Sequence, residues 1–209
     1  MDTIAAVSSP PGEGAVALVR LSGPEAVAVA DRIFRGRKPL RETPPRVAVL
    51  GEARDAEGPF DDVLATVFRA PASFTGEDVV EISCHGGTTV TAHLLDCCFR
   101  SGARPAGPGE FTERAFLNGK LDLTQAEAVM DLISAQSLAA VRAARAQLDG
   151  AIGDDVRGVR DGLLATLAHV EAWIDFPEED IDPGTTADWV ASIGALEARL
   201  ATLLGSADR

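Results

Sequence analysis

Seven apolar side chains, Ile152, Val156, Val159, Leu163, Leu167, Val170 and Ile174, recur in steps of three and four. That spacing puts all seven on one stripe of a single helix about six turns long. A second stripe, Trp189, Ile193, Leu196, Leu200 and Leu203, advances by 3.5 residues on average, a coiled-coil step. Helices with one apolar face bury it against other helices, so the C-terminal part of the chain reads as an antiparallel helical array. Upstream, Thr124 and Glu127 form a T-x-x-E pattern that predicts a capping box at a helix start. That helix is expected to run towards Gly150, with a break near Ser134–Ser137. The Ile152–Ile174 helix is expected to stop at Phe176-Pro177.

The first half of the chain has a different pattern. Thr3–Val7 and Ala15–Leu21 are short apolar runs on either side of Pro10-Pro11-Gly12, and they are predicted to pair as strands. Ser22 then reads as a helix cap, with Pro24 in the first turn and Val27, Ala30, Ile33 and Phe34 on one face. Val47–Leu50, Val63–Phe68 and Val79–Ser83 read as further strands, punctuated by Pro44-Pro45 and Gly58-Pro59. Thr89–Phe99 reads as a second helix. The half closes in the helix-poor loop SGARPAGPG, and the Asn118-Gly119 turn then presents Lys120. The fold class is α+β: an N-terminal α/β domain over 1–120 and an all-α antiparallel helical region over 121–209.

Charge is unevenly shared. The net charge is −13; residues 1–118 carry 12 basic and 16 acidic side chains, and residues 119–209 carry 7 and 16. Free nucleic-acid binding needs a basic face to displace counterions. The acidic C-terminal half argues against one there and leaves room for a small basic pocket in the first half. No stretch of about 18 apolar residues marks a membrane span. The opening MDTIAAVSSPPGEG begins with an acid and does not read as a secretory signal. Cys84, Cys97 and Cys98 have no disulfide-framework spacing, so a reducing, cytoplasmic setting is expected.

Few stretches carry obvious chemistry. A P-loop requires G-x-x-x-x-G-K-[ST]; here the Gly119-Lys120 pair is followed by Leu121. The PPGEG stretch reads as a connection between strands rather than a phosphate loop. Cys84 and His85 are adjacent on a strand and point to opposite faces, a poor chelate. Cys97-Cys98 reads the same way on a helix, and His93 and His169 read as packing or surface residues. No catalytic residue and no metal site emerges. The stretch FTGEDVVEISCHGG places Glu81 among Val79, Val80 and Ile82, where a carboxylate is costly unless paired. Two readings stay open: a surface-facing glutamate, which the usual exposure of Glu favours, or a carboxylate that receives two parallel N–H donors from a ligand. The same two readings stay open for Arg20, at the end of the second strand, and a rim salt bridge is favoured over a ligand contact.

Taken together, "IAAVSSPPGEGAVALVRLSG", "SFTGEDVVEISCHGG", "RPAGPGEFTERAFLNGKLDLTQAEAVMDLI" and "WIDFPEED" resemble the MnmE (TrmE) family of tRNA-modifying GTPases, collinearly from Thr3 to about Ile181. The resemblance implies a folate-binding, homodimerising N-terminal domain similar to that of aminomethyltransferases, taking 5-formyl- or 5,10-methylene-tetrahydrofolate. It implies Arg20, Glu81 and Lys120 as the folate contacts. It implies modification of the tRNA wobble uridine together with the flavoprotein GidA (MnmG). A pterin ring presents an N–H and an amino group side by side, a bidentate match for Glu81. The anionic glutamyl tail suits Arg20 or Lys120.

The family also has a GTPase domain, which uses GTP with Mg and K ions, and a C-terminal Cys-x-Gly-Lys. These 209 residues contain neither. The chain is therefore expected to correspond to the N-terminal portion of that architecture, with an incomplete helical domain and no GTP turnover of its own. Part of the long apolar stripes should then be exposed or buried in a dimer. Two other functions compete: a stand-alone folate-dependent one-carbon transferase, for which Asp122 is the nearest acid in sequence, and a non-catalytic scaffold.

Overall fold

The computed structural model describes residues 2–175 and 186–207. The predicted helix stop at Phe176-Pro177 and most of the WIDFPEED motif lie outside the described residues. The chain divides into two compact units, Met1–Leu121 and Asp122–Arg209.

The first unit is built on seven strands: β1 (Ile4–Val7), β2 (Val16–Ser22), β3 (Phe34–Gly36), β4 (Ala48–Arg54), β5 (Pro59–Phe68), β6 (Val79–His85) and β7 (Arg104–Pro105). They form one sheet in the order β3-β4-β5-β6-β2-β1-β7. Every pairing is antiparallel except β1 with β7, which is parallel. The PPGEG stretch connects the antiparallel pair β1 and β2. Helices α1 (Ala26–Ile33), α2 (Thr88–Arg100) and α3 (Glu110–Leu117) complete the unit.

Alternation along the strands sorts the two faces of the sheet. Val19, Leu21, Val80, Ile82, Val63, Ala65 and Val67 enter one core with Val27, Ala30 and Ile33 of α1 and Leu94, Cys97 and Cys98 of α2. Residues between them point the other way. Register aligns Ala6, Arg20, Glu81, Thr66 and Ala48 in one row across five strands, on the face turned from α1 and α2.

Two expectations in this unit fail. Ser22 does not cap α1. It is the last residue of β2, and its fully buried hydroxyl bonds Thr75 and Glu77 instead, while Glu25 stands at the helix start. The side-chain oxygen found a buried partner in a distant loop, which outweighs a local cap. Phe34 belongs to β3 rather than to α1, and it fills the space over Gly51.

The second unit is all helix: α4 (Leu123–Ser134), α5 (Leu138–Leu148), α6 (Ala151–Asp175) and α7 (Thr186–Ala207). The break near 134–137 is present. The predicted capping box is not Thr124 with Glu127. Asp122 is the cap: its carboxylate accepts from Gln125 N at 2.9 Å, and the Gln125 side chain returns a bond to Asp122 N at 2.9 Å. Thr124 donates its hydroxyl to the same carboxylate, at 2.7 Å. A carboxylate accepts more strongly at a helix N-terminus than a neutral hydroxyl, so the box shifts two residues upstream. Gln125 then reaches the Leu148 carbonyl and Gln147 reaches the Thr124 carbonyl, tying α4 to α5.

Helices α6 and α7 run antiparallel. Asp155 pairs with Arg199, Gly162 lies under Leu196, and Trp173 meets Trp189 edge-on. Of the apolar stripes, Val159 is buried, whereas Val156, Leu163, Leu167, Ile174, Ile193 and Leu200 remain exposed.

Candidate functional site

The exposed face of the sheet carries the residues singled out from sequence. Arg20 on β2 and Glu81 on β6 are cross-strand partners. Nε and one terminal nitrogen of Arg20 donate to Glu81 Oε1, at 2.9 and 2.7 Å. Both bonds end on a single carboxylate oxygen, and no described residue donates to Oε2. The pair is neither surface nor core: the side chains are 23% and 24% exposed. That degree of burial strengthens charge-assisted bonds while leaving the groups within a ligand's reach. The guanidinium carbon sits 5.6 Å from the ring centres of both Phe74 and Phe111. Two aromatic faces flanking a cation and its carboxylate make a slot suited to a flat, hydrogen-bonding ring.

Phe74 belongs to the loop between β5 and β6, residues 69–78, which is fixed along its length. Asp78 accepts from Ala70 N and from Arg69, at 2.9 and 2.8 Å. Asn118 donates to the Thr75 carbonyl at 2.7 Å. Glu77 is held by Ser22 at 2.7 Å and by Arg114 at 3.1 Å. Gly76 turns the loop at a φ of +79°, and a Cβ there would lie 3.1 Å from Asn118 and 3.2 Å from Lys120. A side chain there would be strained by the dihedral and would crowd both neighbours, so glycine suits the position.

Lys120 follows the Asn118-Gly119 turn, as expected, with Gly119 at a φ of +68°. Its ammonium donates to the Pro71 carbonyl at 3.1 Å on an exposed surface. Lys120 is thus hydrogen-bonded to the loop that carries Phe74. Arg20 and Glu81 are brought into direct contact; Lys120 has no direct bond to that pair.

Arg114 was invisible in the sequence reading and is a principal anchor of this region. It is 4% exposed and bonded to Asp2, Glu77 and Glu110. Arg104 adds bonds to Asp2 and Glu110. Arg104 chiefly, with Arg114 adding to it, holds both carboxyl groups at about 2. The signal was present as Glu110 and Arg114, four residues apart in EFTER, but the preceding Pro/Gly loop masked the eight-residue helix.

All three cysteines are buried, and burial pushes the Cys98 thiol up to about 12 and raises that of Cys84. His85 faces away from Cys84, out to Asp61.

Comparison with known proteins supplies the relationship. Residues 3–120 match the family described as "GTP-binding protein TrmE N-terminus", and residues 123–209 match the "MnmE helical domain". A tRNA modification GTPase MnmE of Akkermansia muciniphila is 52% identical over 207 residues, covering 99% of this chain and 46% of that protein. The protein of the same description from Enterococcus faecalis is 49% identical, over 99% of this chain and 45% of its own length. That from Bacillus subtilis is 46% identical, over 100% and 47%. The chain spans about half the length of these curated relatives. Its first unit matches the TrmE N-terminus, its second the MnmE helical domain, and the chain belongs to the MnmE (TrmE) family of tRNA modification GTPases.

Proposed function

We propose that residues 1–120 form a tetrahydrofolate-binding and dimerising domain, serving modification of the tRNA wobble uridine alongside a flavin-dependent partner, GidA. The observation that carries this reading is the Arg20–Glu81 pair between Phe74 and Phe111. Its donor set fits a reduced folate. The carboxylate matches the adjacent N–H and amino groups of a pterin, and Glu81 Oε2 is available for one of them. The phenylalanine rings match the ring's flat faces. Lys120 or Arg20 supplies a cation for the anionic tail, and the Lys120–Pro71 bond is exposed and easily exchanged. When bound, the folate supplies a one-carbon unit at the oxidation level of formaldehyde or formate. The residues of this chain bind and orient it; none of them is assigned a proton transfer.

Isothermal titration of 5-formyltetrahydrofolate into the chain and into Glu81→Ala tests the reading. Loss of a charge-assisted bidentate contact costs about 1.5–3 kcal/mol, so the variant should bind roughly 10- to 150-fold more weakly. Lys120→Met should weaken binding by a smaller factor, because its site is solvated. Equal affinities for the chain and Glu81→Ala would sink the assignment of the site. The same preparation should show no GTP turnover, because the 209 residues hold no phosphate-cradling P-loop.

A further inference from the structure

On the other face of the sheet, a second group of polar side chains comes together. His93 and Cys97 lie four residues apart on α2 and so share one face of the helix. The turn between β4 and β5 delivers Asp55 to the same place. Asp55 Oδ2 meets His93 Nε2 at 2.7 Å, and Cys97 Sγ lies 3.9 Å from that nitrogen. One oxygen, one nitrogen and one sulfur all fall within 4.8 Å of one another. Three ligands of a tetrahedral zinc ion sit about 3.3–3.6 Å apart, given bond lengths of about 2.0–2.3 Å. Bringing a separation of up to 4.8 Å to that spacing takes a shift of roughly 1.2–1.5 Å, shared between two side chains.

The surroundings are those of a supported ligand set. Asp55 Oδ1 is fixed by the backbone N–H groups of Glu57 and Gly58, at 2.8 and 3.2 Å, which leaves Oδ2 to face His93. The His93 ring is braced edge-on by Phe60, with ring centres 4.6 Å apart. Arg100 donates to Cys97 Sγ at 3.2 Å, a contact that can persist when the sulfur binds a metal. Arg100 does not leave the site with excess positive charge, because Asp96 pairs with it at 3.1 Å. Cys97 is buried, yet it lines a cleft of about 480 Å³ together with Arg32, Arg54, Asp55, Glu57 and Arg100. A fourth coordination position can open into that cleft.

We propose that Asp55, His93 and Cys97 bind one divalent first-row transition ion of borderline softness, of the zinc class, with its fourth position open to the cleft. The carboxylate and the thiolate neutralise the ion, and the mixed oxygen, nitrogen and sulfur set selects against magnesium and calcium, which take oxygen ligands. The site is distinct from the Arg20–Glu81 pair, whose strand positions point to the opposite face.

Titration of the reduced chain with Co²⁺, followed by Zn²⁺ displacement, tests this. The expected result is one equivalent of Co²⁺ with a sulfur-to-cobalt charge-transfer band and tetrahedral d–d bands, all removed by Zn²⁺ and unaffected by excess Mg²⁺. Cys97→Ser should abolish the charge-transfer band. His93→Gln and Asp55→Asn, at more exposed positions, should weaken binding by more than about tenfold, with circular dichroism confirming that each variant is folded. Cys98→Ser should leave the spectrum intact. No cobalt band in the chain, a band that survives Cys97→Ser, or binding unchanged in both His93→Gln and Asp55→Asn would each overturn the proposal.

Discussion

Arg114 shows how a single side chain can hold a loop, a helix and the chain's start together. Its guanidinium satisfies Asp2, Glu77 and Glu110 while almost fully buried. Removing it in Arg114→Met leaves these carboxylates facing one another, with Glu77 still tied inward by Ser22. Breaking a buried pair from one side costs about 3–5 kcal/mol; the partial exposure of the carboxylates puts the expected loss near about 3. Urea denaturation of the variant measures it. The same cluster sets an acid response. Glu110 has an ordinary value of 4.5 and is held at about 2 in the folded state, chiefly by Arg104. A lowered carboxyl stabilises the fold above its unfolded value, and that contribution drains away as pH falls from about 4.5 towards 2. Arg104→Gln should therefore be less stable than the parent chain in urea at neutral pH, and the difference should shrink as pH falls from about 4.5 towards 2 and Glu110 protonates. Sequence reading reached Arg20 and Glu81 as separate candidates with bland alternatives. The structure makes the two a salt bridge, and the same register sets them on the face turned from α1 and α2. That register is a pairing between residues 61 positions apart, which no local pattern encodes.

At the level of elements, the legible parts were those with strong periodicity. The stripe of Ile152–Ile174 and the alternation of Val79–Ser83 both follow from side-chain geometry within one element. Helix starts were less legible, because several residues near a start can serve as acceptor, and tertiary partners decide among them. Ser22 was drawn into the loop by Thr75 and Glu77. Thr124 gave way to Asp122, whose carboxyl is lowered to about 2 by Arg157 first and by the Gln125 N–H next. The difference is measurable: Asp122→Ala should destabilise the chain by about 1 kcal/mol, the usual worth of a cap. Glu127→Gln should change stability by less than about 0.5 kcal/mol, as surface substitutions do. A reversed order in thermal denaturation would restore the T-x-x-E box. Helix α3 was missed altogether, since eight residues between a Pro/Gly loop and an Asn-Gly turn give too short a period to read.

Across the whole first unit, one face of the sheet is packed by α1 and α2 and the other carries apolar side chains in the open. Leu50 and Leu64 are cross-strand partners, 71% and 46% exposed. Register continues their row through Ser83 to Leu18, two residues along each strand from the row of Arg20 and Glu81. The proposed homodimer therefore has an apolar row to bury beside the proposed folate site, on the same face. Burying a leucine side chain contributes about 1.5–3 kcal/mol, and symmetry doubles the number buried. Replacing both leucines with charge, in Leu50→Glu with Leu64→Lys, should shift sedimentation towards a monomer. Circular dichroism should stay unchanged, because both side chains already face water in the isolated unit. Folate binding separates two roles for this face. If the partner only stabilises the sheet, the double variant keeps its affinity for 5-formyltetrahydrofolate. If dimerisation completes the slot beside Phe74 and Phe111, affinity falls together with the dimer, and it recovers at protein concentrations high enough to restore association. A double variant that still sediments as the parent does would remove this face from the interface.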